Sequence, residues 1–184
     1  ILIGPNSYRG VVLTASYEAR PFGVGSAMPV AEARRRCPQA IMIPPRLDRY
    51  QEVSEQIMDI FADFSPSVEA LSLDEAFLEM SGAGHIFGDP ATMGAKIKQA
   101  VLDVTHLNIS VGISGTKYVA KVASAHDKPN GLTVVPQASA VSWLAPLPIT
   151  RLWGVGRKTA PRLVELGFTT IGDIARADKA LLEE

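Results

Sequence analysis

The run VEALSLDEAFLEM, residues 68–80, limits what this chain can fold into more than any other stretch. It is strand-like on both sides of two adjacent acids, Asp74 and Glu75. In a straight strand, neighbouring side chains point to opposite faces. One of the two acids would then meet a buried layer unpaired, which is costly. Two arrangements avoid that cost. Either one face is solvated and Glu75 lies on it, or the chain turns at the pair and both carboxylates project from a hairpin into one site. Spacing alone leaves both open.

The flanking pattern supplies the layers. Ile1–Ile3 and Gly10–Leu13 (GVVL) read as short strands around the turn-rich GPNS. Thr14–Arg20 reads as helix or loop; as a helix it would put Thr14, Tyr17 and Arg20 on one side. Pro29 suits a helix first turn before AEARRRC, and Pro38 ends it. Gln51–Phe64 predicts an amphipathic helix with Val53, Ile57, Ile60, Phe61 and Phe64 on one stripe. A glycine-rich loop follows the acidic run up to Gly88. Met93–Val104 predicts a second such helix, with Met93, Ile97, Ala100, Val101 and Val104 pointing inward. LNISVGI (Leu107–Ile113) alternates as a strand. Thr116–His126 predicts a helix with Val119, Val122 and Ala123 apolar and Lys117 and Lys121 on the other side. KPNG (Lys128–Gly131) is a turn by composition, and LTVV is a strand. Strands alternating with helices in this order predict an α+β fold, helices packed on a mostly antiparallel sheet.

After Val135 the character changes. Pro136, Pro146 and Pro148 punctuate a segment without strands, and the remainder reads as a helix, a tight GVG hairpin, a helix, a Gly stop and a short helix opened by Thr170. From Arg151 to Lys179, Arg151, Arg157, Lys158, Arg162, Arg176 and Lys179 against Glu165, Asp173 and Asp178 make the segment +3. The whole chain has a net charge of −1, so any nucleic-acid binding must come from such a local patch. With 184 residues, 47% of them hydrophobic, one globular domain or two small ones can bury a core. Cys37 is the only cysteine, which excludes an intrachain disulfide and suits a reducing cytoplasm. No apolar run nears the length of a membrane span. The chain opens on ILIG without Met and stops at LLEE, mid-helix by pattern, so a piece of a longer protein is expected.

Two groupings carry chemistry. Gly154-Val155-Gly156 between short helices resembles a helix-hairpin-helix element: the glycines let the backbone approach a phosphate, and the next helix opens with free N–H groups. Arg157 and Lys158 add charge there, and such contacts grip DNA without reading its sequence. The plainer reading is a tight helix turn. Thr14, Tyr17, Arg20 and Lys128 form a candidate polyphosphate grip of hydroxyls and cations. The plainer reading is four solvated residues, and spacing does not bring Lys128 to Arg20. Arg34-Arg35-Arg36 reads as the wet face of a helix, Cys37 as a small packed residue. His85, His106 and His126 lack metal-ligand spacing.

TASYEARPFGVGSAMP, PPRLDRY, SLDEAF, SVGISGTKYVAKVASAHDKPNGL and LWGVGRKTAPRLVELGFTTIGDIA, in that order, resemble the motifs of the Y-family (translesion) DNA polymerases of the bacterial DNA polymerase IV or DinB type. The resemblance implies a fingers subdomain with a partial palm edge over 1–46, a palm over 47–135 and a small all-helical helix-hairpin-helix thumb over 136–184. It implies low-fidelity translesion synthesis in DNA repair, by two-metal nucleotidyl transfer from a dNTP to a primer 3′-hydroxyl. Asp74 and Glu75 then match the catalytic acids that hold Mg²⁺, two ions per site. Thr14, Tyr17, Arg20 and Lys128 match the nucleotide-binding residues. Ala27 matches a small roof over the nascent base pair. Gly154, Gly156 and Lys158 match DNA-backbone contacts. Implied partners are primer-template DNA, dNTP and, in the full-length parent, a sliding clamp; a cytoplasmic monomer is expected, without membrane. Gly25 and Thr116 stand where Lys or Arg, and Asn, are common. A first strand with a further metal-binding Asp, a ribose gate and a little-finger domain are missing, so poor or no polymerisation by this chain alone is expected. The rivals are a non-catalytic Y-family accessory protein, a DNA-binding module, and a cyclase-like palm.

Overall fold

A computed structural model describes residues 1–156 and 158–178. The chain divides into two compact units, Ile1–Glu52 and Val53–Glu184, and passes from one to the other within a single helix, α2 (Leu47–Phe64).

The first unit is a small sheet of three two-residue strands, β1 (Leu2–Ile3), β2 (Thr14–Ala15) and β3 (Met42–Ile43), together with α1 (Val30–Arg36). The central strand β1 pairs antiparallel with β2 and parallel with β3. The second strand was expected at Gly10–Leu13, but the paired residues lie just beyond it. The Leu13 N–H still donates to Ile3 O of β1 (2.8 Å), while Val12 bonds on its other side: its N–H donates to Met28 O (2.8 Å), its O accepts from Ala27 N–H (2.9 Å), and Val11 bridges Pro29. Leu2, Val12, Ala15, Val30, Ala33 and Cys37 form the core, so Cys37 is the packed residue expected. Pro29 opens α1, where the first N–H groups lack helical partners anyway. Arg35 and Arg36 are exposed, whereas Arg34 is half-buried, bonded to Asn6 Oδ1 (3.0 Å) with its guanidinium over the Tyr8 ring.

The second unit opens with β4 (Val68–Ser72) and β5 (Glu75–Leu78), an antiparallel hairpin. Where a glycine-rich loop was expected there is also one short helix, α3 (Gly84–Phe87). Next come α4 (Pro90–Thr105), β6 (Val111–Ser114), α5 (Lys117–His126) and β7 (Leu132–Val135). β6 and β7 pair in parallel, Val111 opposite Leu132 and Ser114 opposite Val135, with α5 as the crossover that a parallel pair requires. The architecture is the mixed α+β one expected, with pairing that is antiparallel in β1–β2 and β4–β5 and parallel in β1–β3 and β6–β7.

Phe61 of α2 and Ile97 and Val101 of α4 are buried in one cluster, with Ala76 and Leu78 of β5 packed against it. Val104 continues the α4 stripe by angle but is 60% exposed. It lies in the last turn, beside the exposed segment 106–108, past the residues that cover Val101. Leu107, expected in a strand, is likewise exposed and outside β6. Gly112 of β6 shows why this strand and α5 meet so closely: a Cβ there would lie 2.1 Å from Ala120 O and 2.2 Å from Ser124 N. Only glycine permits that approach.

The tail holds α6 (Ala140–Leu144), a 3₁₀ turn at Ile149–Arg151, α7 (Thr159–Glu165) and α8 (Ile171–Arg176). The helix expected before the GVG hairpin is thus a single 3₁₀ turn, with Ile149 almost fully buried. Thr170 opens α8 as expected, through a capping box with Asp173. Arg157 and Lys179, counted in the tail's charge, lie outside the described residues.

Candidate active site

The acidic pair sits where β4 turns into β5. Ser72 lies opposite Glu75, and the register slips between Ala70 and Ser72, leaving Leu71 as the extra residue of a bulge. Asp74 occupies the turn, exposed, its Oδ1 accepting from Ser72 Oγ at 2.8 Å. Glu75 begins β5. Ala76 and Leu78 face the α2–α4 cluster, so by strand alternation Glu75 and Phe77 share the opposite face. There the Glu75 carboxylate is paired with Lys121 of α5, whose side chain is only 19% exposed. The two ways out of the opening conflict are therefore combined: the chain turns, and Glu75 also lies on the face away from the apolar layer.

Lys117 and Lys121 were expected on the helix side away from the core, and they are, but that side is not free solvent. Lys117 pairs with Glu69 of β4 and stands 5.7 Å from the Phe77 ring, and Lys121 pairs with Glu75. The i, i+4 spacing was legible in the sequence; the acids opposite were not, since Glu69 and Lys117 are 48 residues apart.

Lys128 is exposed in the KPNG turn, whose Asn130 is left-handed at φ 57°. A residue with no sequence signal anchors this turn. The Lys98 ammonium of α4 donates to Ile109 O (2.6 Å), Asn130 Oδ1 (2.5 Å) and Asn130 O (2.9 Å), with Gly131 O at 3.3 Å. Burial holds its pKa below the usual lysine value. Ser110 Oγ accepts from the Gly131 N–H at 3.1 Å, closing the turn from the other side.

In the first unit, Thr14 is on β2 and not on a helix with Tyr17 and Arg20; Tyr17 lies in a turn and Arg20 opens a 3₁₀ turn. Tyr17 and Arg20 are still brought together, the guanidinium 4.0 Å from the ring centroid and Arg20 Nε bonded to Ala15 O. Ala27 is exposed at φ 64°, a strained conformation for a residue with a Cβ. Its N–H bond to Val12 O holds it there. Lys128 belongs to the second unit.

At the GVG hairpin, Gly154 adopts φ 97°, and a Cβ built on Gly154 or Gly156 would meet no atom within 4 Å. The loop surface is open, and Lys158 beside it is exposed.

A profile of the impB/mucB/samB family matches residues 1–125, and one of the IMS family HHH motif matches residues 142–168. The chain belongs to the impB/mucB/samB family. DNA polymerase IV of Treponema denticola is 44% identical over 183 residues, covering 100% of this chain and 46% of that protein. The crystal structure of DinB from Sulfolobus solfataricus superposes with a TM-score of 0.88 at 32% identity, over 99% of this chain and 53% of that one. A Y-family DNA polymerase chimera built on Dbh gives 0.85 at 32% identity, over 100% and 55%. The Y-family resemblance read from the motifs is therefore shown, and this member of the family spans about half the length of the relatives it matches.

Proposed function

We propose that this chain carries the fingers (1–46), palm (47–135) and helix-hairpin-helix thumb (136–184) of a template-directed DNA polymerase for low-fidelity translesion synthesis. The activity is proposed for a protein of the relatives' length, and this chain alone is expected not to extend primers processively. The observation that carries the reading is the hairpin at Asp74–Glu75: two consecutive carboxylates at a bulged turn, with Glu75 held by Lys121.

In the proposed reaction the primer 3′-hydroxyl oxygen bonds the dNTP α-phosphorus and pyrophosphate leaves. Asp74 and Glu75 offer hard oxygen donors, and magnesium is commonly held by one or two carboxylates with substrate phosphates completing its shell. Among the described residues no third His, Cys, Asp or Glu joins them, so the fit is to an ion shared with substrate; two ions per site is the family expectation. When bound, Mg²⁺ supplies electrostatic stabilisation of the charge on the transferring phosphoryl group. Lys121 holds the Glu75 carboxylate in place through its ion pair. Lys128, Arg20, Tyr17 and Thr14 bind the triphosphate, Lys98 fixing the turn that carries Lys128. Ala27 roofs the base pair with the smallest side chain that still has a Cβ, leaving room for a damaged template base. Gly154, Gly156 and Lys158 grip the DNA backbone. A sliding clamp as recruiting partner, action as a monomer and a cytoplasmic location complete the reading and rest on the resemblance; among the described residues no helix is long and apolar enough to cross a membrane.

The test is Asp74→Ala in a protein of the relatives' full length. Primer extension is expected to fall about 10²- to 10³-fold, the scale of losing a transition-state charge contact, while duplex binding survives. Extension at the unmutated rate would remove Asp74 from the site. An unmutated protein that binds duplex but never extends a primer would leave the non-catalytic accessory reading in its place.

A further inference from the structure

Trp153, the residue before Gly154, touches two elements outside the tail, β5 and α5. Its ring meets Phe77 of β5 edge-on, centroids 6.5 Å apart, and Tyr118 of α5 at 6.1 Å. Burial raises the Tyr118 phenol's pKa, and the nearby Trp153 backbone opposes that shift. Two residues earlier, Arg151 Nη1 donates to Ala125 O of α5 at 3.1 Å. Trp153 is 50% exposed and is no part of the buried clusters, so its burial alone does not explain its place. Phe77 shares its strand face with Glu75, and Tyr118 lies one turn before Lys121, the partner of Glu75. The strand that carries Glu75 and the helix that carries its partner Lys121 thus both touch the residue leading into the GVG loop.

We propose that Trp153 is a positioning residue, an aromatic latch that sets the Gly154–Gly156 loop at a fixed offset from Asp74 and Glu75. It rests on the reading of that loop as the DNA-backbone grip. DNA phosphates taken up by the loop are thereby placed relative to the acids by contacts through Phe77 and Tyr118, not by the loop's own bonds.

The experiment measures binding of a fluorescently labelled primer-template duplex to this chain at low salt, for the unmutated protein, W153A, W153F, F77A and W153A/F77A, with thermal melting of each. W153A is expected to weaken binding about 5- to 10-fold, the scale of two aromatic contacts. W153F should stay within about twofold, because a phenyl ring retains the edge contacts. The double variant should be no weaker than W153A alone, since both changes break one coupling. Melting should show W153A still folded, which separates a positioning role from unfolding. Unchanged binding by W153A, equal loss in W153A and W153F, or multiplying effects of W153A and F77A would each overturn the latch while leaving the grip. No duplex binding by the unmutated protein would overturn the grip reading, and the latch with it.

Discussion

At the scale of single residues, the side chains that matter most here are those whose partners lie far along the chain. Lys98 is the clearest. Its carbonyl partners at Ile109 and Asn130 depend on it, whereas Gly131 O also accepts from the Val111 N–H at 3.0 Å. Lys98→Met would keep much of the aliphatic packing and leave those two carbonyls without that donor. We expect a loss of about 1–3 kcal/mol, the range for a partly buried charge-assisted bond, and faster amide exchange at Gly131 than in Lys98→Arg. Exchange unchanged at the turn would show that Ser110 alone closes it. The Lys117–Glu69 pair, by contrast, is more than half exposed on both sides and contributes little.

At the scale of elements, the acidic hairpin and the capped helix α8 show two ways a short segment is fixed. The hairpin depends on tertiary packing: one face on the α2–α4 cluster, the other on the lysines of α5. Helix α8, only six residues long, depends on its cap. Asp173 accepts from the N–H groups of Thr170 (2.7 Å) and Thr169 (3.0 Å) and from the Thr169 hydroxyl, which together lower its pKa to about 2. A depressed folded pKa means stabilisation that is present above the usual value of 3.8 and lost as pH falls from there through about 2. Amide exchange over Ile171–Arg176 should therefore accelerate between pH 4 and 2 relative to the intrinsic rate, about as expected for one carboxylate. Asp173→Asn should abolish that acid-dependent step. Thr170→Ala should cost about 1 kcal/mol at neutral pH through the lost N-cap.

At the scale of the whole molecule, a net charge of −1 leaves DNA affinity to a local patch. Salt dependence then measures how small the patch is. The logarithm of the binding constant should fall with log salt at a slope of about −2 to −4, roughly 0.9 per phosphate neutralised, and Lys158→Ala should reduce it by about one such step. An unchanged slope would place Lys158 off the DNA. What the sequence determined by itself was what local physics controls: the amphipathic stripes of α2, α4 and α5, the helix starts at Pro29, Thr116 and Thr170, and the turns at KPNG and GVG. Its motif order was specific enough to indicate the family. What only the tertiary structure decided was long-range pairing. Val12 bonds Ala27 and Met28 instead of β1, Val104 falls beyond its cover, β6 and β7 run parallel, and Glu75 finds Lys121 while Lys98 finds the KPNG turn. Val104 lies on a period that misplaces it, and the others have no period to read. Each is fixed by which backbone groups and charges remain unpaired once the layers close, and that becomes defined only when residues distant in sequence are brought together.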